Sequence, residues 1–221
     1  MYSTDSMNWT LASNAQPPDP TSAWSSVAWG GGKFVAVASS GTLSRVAMSP
    51  DGIVWTNNAS SAALANSWTS VTYGDGVFVA VSSDGTAMYN TDGTAWTASG
   101  GEGGTLIDSA STWTSVTWGG GRFVAVAESS TGAATDLVAT SPDRIDWTNH
   151  TAAAASSWSS ITYGGRVFAP VASNGSTRVM YSADCGLTWI SGVAAAAYEW
   201  TSVTWGEGTF VAISHTNWSC W

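Results

Sequence analysis

Residues 68–73 read Trp-Thr-Ser-Val-Thr-Tyr, with apolar positions interleaved with Ser and Thr. A period of two is the pattern of a half-buried β-strand. Gly74-Asp75-Gly76 then predicts a turn, because glycine accepts positive φ without steric cost. A second strand is predicted over Phe78–Val81, where β-branched residues dominate. A third is expected from about Thr86 to Asn90, and a turn at Asp92-Gly93 leads to a fourth around Trp96. Helical periodicity is absent. The alanine runs at 152–155 and 194–197 are long enough for a helical turn but not for an independent helix.

This four-strand unit recurs. The pattern W-[ST]-S-[VI]-[TA]-[YW]-G begins at Trp24, Trp68, Trp113, Trp158 and Trp200, at steps of 44, 45, 45 and 42 residues. A phenylalanine follows each glycine, at Phe34, Phe78, Phe123, Phe168 and Phe210. A second tryptophan closes the unit after an aspartate turn, at Trp55, Trp96, Trp147 and Trp189. Four short strands in about 44 residues are the mark of a β-propeller blade, and such blades bury their faces by stacking on neighbours. The chain is therefore expected to be all-β: a single five-bladed β-propeller domain over residues 1–221, with four antiparallel strands per blade. Residues 1–10 match the end of a repeat, whereas residues 200–221 hold only a beginning. The N-terminal strands are thus expected to complete the C-terminal blade, close the ring and remove two sheet edges. Pro170, inside a second-strand run, predicts an edge or a bulge.

Composition sharpens this picture. Fifteen residues are Trp, yet only 10% are charged. Ten of the tryptophans occupy the two repeated positions, Trp9 of the N-terminal half-repeat among them, and three more the [YW]-G position; Trp218 and Trp221 stand outside the pattern. The first tryptophan of each repeat is expected to pack between blades, where it removes large apolar area from water. The second is expected to clamp the aspartate turn. The formal charge of −9 repels phosphate backbones, so nucleic acid is not an expected partner. No apolar run approaches the roughly 18 residues of a membrane span, so no membrane insertion is expected. No signal peptide is seen at the N-terminus; an extracellular or surface-associated location is nonetheless expected. Cys185 and Cys220 are either two thiols or one disulfide tying the C-terminus to the preceding repeat.

Asp5, Asp51, Asp92, Asp143 and Asp184 precede the second tryptophans. Each is expected to accept hydrogen bonds from backbone N–H groups of its own turn rather than to act in catalysis or hold calcium. Residues 182–189, Ser-Ala-Asp-Cys-Gly-Leu-Thr-Trp, fit the pattern S-x-D-x-G-x-T-W, and the other four turns are one residue shorter between Asp and Trp. This segment resembles the Asp-box of sialidases and related repeat propellers. The whole unit looks like repeats of bacterial and phage-borne propeller proteins, and five blades in a chain of this size resemble tachylectin-2-type lectins. That resemblance implies the fold, and an Asp-box lying away from any active site.

Trp29, Tyr73, Trp118, Tyr163 and Trp205 end the first strand of each repeat. Alternation points each of them opposite to the strand's first tryptophan. They either pack between blades or stack on the apolar face of a sugar, as ligand-binding rings in five copies. Catalysis is not expected. The two histidines and scattered acids offer no acid–base pair, and no G-x-S-x-G, H-E-x-x-H or P-loop occurs. Arg45, Arg122, Arg144, Arg166 and Arg178 occupy different repeat offsets, unlike a sialidase arginine cluster. No metal site and no cofactor are expected. The expected function is a monomeric, non-catalytic, lectin-like module that binds glycans. The alternatives are a structural or adhesive virion or cell-surface protein binding protein partners, and a sialidase-like glycosidase.

Overall fold

The computed structural model describes residues 1–12, 21–42, 44–58, 66–91, 94–100, 111–128 and 136–215. Every regular element among them is a β-strand. β1 (Ala23–Gly30), β2 (Lys33–Ser40), β3 (Val46–Ser49) and β4 (Thr56–Asn57) form one antiparallel sheet in chain order. β5 (Trp68–Gly74), β6 (Val77–Ser82), β7 (Ala87–Asn90) and β8 (Thr97–Ala98) form the second. The third comprises β9 (Thr112–Gly119), β10 (Arg122–Glu128), β11 (Val138–Ser141) and β12 (Thr148–His150).

The fourth repeat departs from this scheme. β13 (Ser157–Gly164) pairs with β14 (Val167–Asn174), and β15 (Met180–Tyr181) pairs with β16 (Ile190–Ser191), as separate two-stranded sheets. Only isolated bridges, Phe168↔Ser182 and Val171↔Val179, join β14 to the outer pair. Pro170 explains the gap. Phe168 exchanges both of its backbone hydrogen bonds with Ser182, so strand alternation turns the backbone of residue 170 toward the same outer strand. Proline has no N–H to give there. The equivalent Ala36 pairs with Ala47, and Ala125 with Ala139. Pro170 thus leaves β14 as an edge of a two-stranded sheet, the edge the sequence predicts, with no bulge at the residue itself, which pairs with Ile161.

The fifth repeat contributes β17 (Glu199–Gly206) and β18 (Thr209–His215). The turn between the first two strands is the same in every repeat. Both of its residues have positive φ, from Gly31 and Gly32 (54° and 76°) to Glu207 and Gly208 (48° and 78°). Two positive φ values in a two-residue loop make a type I′ hairpin, whose twist matches that of the strands. The alanine runs form no helix.

Each first strand packs on the first strand of the next repeat, giving the spatial row β1, β5, β9, β13, β17. The core lies between these sheets. Trp68, Trp113 and Trp158 are completely buried there, as are Phe123 and Phe168. β17 does not pack substantially back onto β1. Residues 1–12 form a small hairpin in which Tyr2 and Thr10 exchange backbone hydrogen bonds of 2.8 and 2.9 Å. That bridge is equivalent to Tyr89↔Thr97 and Met48↔Thr56 in the outer strands of other repeats. The expected pairing of this segment with the last repeat is not formed among the described residues, since β18 pairs only with β17.

Candidate functional site

The five rings singled out by sequence sit at the end of each first strand, beside the type I′ turn. In four of them the ring lies flat over the glycine that ends the preceding repeat's first strand. A Cβ placed on Gly30 would fall 1.9 Å from Tyr73, and one on Gly74 2.0 Å from Trp118. The same holds for Gly119 under Tyr163 and Gly164 under Trp205, each at 2.0 Å. A phenylalanine of the ring's own repeat supports it from the side, with centroid separations of 4.8, 4.5, 4.6 and 4.4 Å and tilts of 50–58°. Tilted ring pairs of this kind are favoured by the aromatic quadrupole. Tyr73, Trp118, Tyr163 and Trp205 remain half-buried, each presenting part of its ring to solvent. Trp29 has only Phe34, at 4.4 Å, and is 54% exposed.

The alternation argument for these rings needs correction. A β-bulge follows the first tryptophan, as between Trp68 and Ser70, and shifts the side-chain phase by one. Trp68 pairs with Ser82 and Tyr73 with Phe78, two residues of one strand that point the same way. The two rings therefore share a face, and both meet the preceding repeat.

Motif positions without an expected role turn out to complete each joint. Thr69 Oγ1 lies 2.8 Å from the carbonyl of Trp113 in the next repeat and 3.1 Å from Val81 O in its own. Thr114 reaches Trp158 O at 2.7 Å, Ser159 reaches Trp200 O at 2.5 Å, and Ser25 reaches Trp68 O at 2.7 Å. The following serine accepts in return. Ser26, Ser70, Ser115 and Ser160 take the N–H of Val71, Val116, Ile161 and Val203 at 3.1–3.2 Å. The available signal was the recurrence of the [ST]-S pair itself, at one offset in all five repeats.

The aspartate turns lie at the same end of the sheets, since each joins the third and fourth strands. Asp51 Oδ1 accepts the N–H groups of Ile53 and Val54 at 2.8 and 2.9 Å. Asp5 accepts from Met7 and Asn8, and Asp143 from Ile145 and Asp146, at 2.8–3.0 Å. Asp184 accepts from Leu187 and Thr188, and its second oxygen takes the Thr188 hydroxyl at 2.6 Å. That hydroxyl, with the backbone bonds, lowers the Asp184 carboxyl from its ordinary 3.8 to about 2. Backbone hydrogen bonds likewise hold Asp5, Asp51 and Asp143 below the usual range. Asp92 lies outside the described residues. Trp55 and Trp189 donate Nε1–H to the turn carbonyls of Gly52 and Gly186, each at 3.0 Å, so in these two repeats the second tryptophan clamps the turn, whereas the buried Nε1–H groups of Trp96 and Trp147 make no such bond.

Neighbouring turns touch across a joint. Arg144 Nη1 is 3.9 Å from Asp75 Oδ2, and its guanidinium lies 5.5 Å from the centroid of Tyr89. Cys185 is exposed at the matching place beside Gly120. Cys220, Trp218 and Trp221 lie outside the described residues. Among the described residues no group of three or more His, Cys, Asp or Glu side chains could hold a metal ion, and no helix is long and apolar enough to cross a membrane.

No family model matches the chain, and no curated protein matches it. Solved structures do. The computationally designed Ika8 protein superposes with a TM-score of 0.59 at 15% identity, over 86% of this chain and 55% of that one. YCF48 bound to D1 peptide gives 0.59 at 14% identity, over 86% of this chain and 60% of that one. A nidogen/laminin complex gives 0.59 at 10% identity, over 88% and 73%. The chain thus spans little more than half the length of the first two. At these identities the likeness is one of fold alone, and it shows an all-β fold of the β-propeller type.

Proposed function

We propose that the chain is a non-catalytic, lectin-like module whose repeated Tyr and Trp rings receive the apolar faces of sugars. One observation carries the reading: a partly exposed ring recurs at the same end of every repeat, and four of the five are fixed on one side by glycine and phenylalanine. A ring fixed in this way loses little freedom when a ligand stacks on its open part. The exposed Asp75 carboxylate and the Arg144 guanidinium, 3.9 Å apart at the joint where Trp118 covers Gly74, supply polar groups for sugar hydroxyls. Five weak copies acting together would gain avidity without new contacts. We also read the repeats as five blades, with the N-terminal hairpin and β17–β18 as the outer and inner halves of one blade. Uniting those halves completes the array and covers the β18 edge.

A protein-binding, adhesive role is the second reading. Two structurally similar proteins are recorded with a peptide or protein partner, YCF48 with D1 peptide and nidogen with laminin, and the terminal sheets here expose apolar side chains. A glycan array followed by titration of the best sugar separates the readings. Binding that is lost in Tyr163→Leu, with the circular dichroism spectrum retained, supports the ring site. Binding that survives ring removal at every repeat, or no binding at millimolar sugar, overturns it. Turnover of a chromogenic glycoside series would overturn the non-catalytic assignment.

A further inference from the structure

The four joints between repeats use one set of parts, and the two ends of the row each carry half of that set. At the β1 end stands the inserting half. Trp29 is 54% and Val27 59% exposed, although the equivalent Tyr73 and Val71 are packed against the first repeat. At the β17–β18 end stands the receiving half. Gly206 has nothing within 4 Å of its Cβ position, while Gly30, Gly74, Gly119 and Gly164 are each covered by a ring. Val211 and Ile213 are 54% and 63% exposed. Their equivalents Val35, Val79 and Val124, and Val37, Val81 and Val126, are fully buried. Among the described residues Thr201 Oγ1 reaches only the Ile213 carbonyl of its own repeat, at 3.3 Å, where every preceding hydroxyl also meets the next repeat.

We propose that these halves meet between two copies of the chain, head to tail. Trp29 of one copy covers Gly206 of the other, Thr201 Oγ1 donates to the carbonyl of Trp24, and Ser202 Oγ accepts the N–H of Val27. The proposal goes beyond the two-halves reading given above, in which the N-terminal hairpin meets the β18 edge; here the face of β1 meets the face of β17–β18. A second copy fits the existing conformation without change, because both halves are already exposed on one arrangement of the four joints. The chain's own β1 stands at the far end of the row from β17, so self-closure would require those joints to move. The contact is heterologous: each copy uses a different surface, and a free half remains at each end of any open assembly.

The test is complementation. Trp29→Ala removes the insert and leaves the receiving site. Gly206→Val fills the receiving site and leaves the insert; Gly206 has no positive φ and open space around it, so the free chain can carry the side chain. Light scattering on the full chain should show mass rising with concentration for the native protein. Each variant alone should associate at least tenfold more weakly, and an equimolar mixture should form a 1:1 dimer that grows no further. Val27→Glu serves as a second inserting-half variant if Trp29→Ala loses its fold by circular dichroism. Variants that assemble like the native chain overturn the proposal. A native chain that stays monomeric with β1 and β17 protected from hydrogen exchange also overturns it, since its own ends then meet, yet leaves the two-halves reading standing. A monomer with both strands unprotected overturns the proposal as well.

Discussion

Gly119→Ala probes a joint with a single methyl group. The new Cβ would lie 2.0 Å from Cγ of Tyr163, whereas carbon atoms rest at about 3.5–4.0 Å. The ring would have to withdraw by about 1.5–2 Å. Phe168, fully buried and 4.6 Å away between centroids, blocks that retreat on one side. Overpacking of this kind costs about 1–3 kcal/mol. Stiffening the unfolded chain returns about 0.4–1 kcal/mol. A net loss of about 1–2 kcal/mol is a measurable part of a typical stability of about 5–15 kcal/mol. Gly206→Ala is the matched control, since its Cβ meets open space within 4 Å. Urea unfolding in dilute solution should lower the midpoint for Gly119→Ala and leave Gly206→Ala within about 0.5 kcal/mol of the native chain. Equal midpoints for the two variants would refute the ring-on-glycine joint.

Other outcomes follow from the same geometry. Ser70→Ala strands the buried N–H of Val116, 3.1 Å from the hydroxyl, and should cost about 1–3 kcal/mol in chemical denaturation. Trp113→Ala empties a completely buried position and should cost about 3–5 kcal/mol; Trp9→Ala, at a side chain 61% exposed, should cost under about 0.5 kcal/mol. The Asp184 carboxyl is lowered in the folded chain to about 2, so the unfolded chain binds its proton first as pH falls. Its contribution is present above about pH 4 and is lost on acidification toward pH 2. Thermal melts should therefore fall across that window, and less steeply in Asp184→Asn; because the group is exposed, the difference should stay below about 1 kcal/mol.

Much of the repeat architecture is legible in residue order. Strand alternation, the glycine-marked turns and the aspartate turns are local, and each is fixed by backbone chemistry within a few residues. The relation between repeats is not local. The bulge after the first tryptophan leaves no single-residue signal, so simple alternation assigned the wrong face to Tyr73 and its equivalents. Gly74 and Gly119 read as turn glycines; their role as flat seats for the next repeat's rings depends on atoms some 45 residues away. The effect of Pro170 depends on which neighbour its missing N–H would have faced. Closure lay further out of reach: the two matching half-repeats are visible in the sequence, but which surfaces meet depends on how four successive joints add up.

That one ring on one glycine holds each repeat to the next is tested most directly by a double-mutant cycle of Gly119→Ala and Tyr163→Ala, read by urea unfolding. With the ring gone the added methyl has room, so the double variant should be more stable than the sum of the single losses by at least about 1 kcal/mol. Losses that add to within about 0.3–0.5 kcal/mol would show that the two residues do not meet, and would contradict the joint.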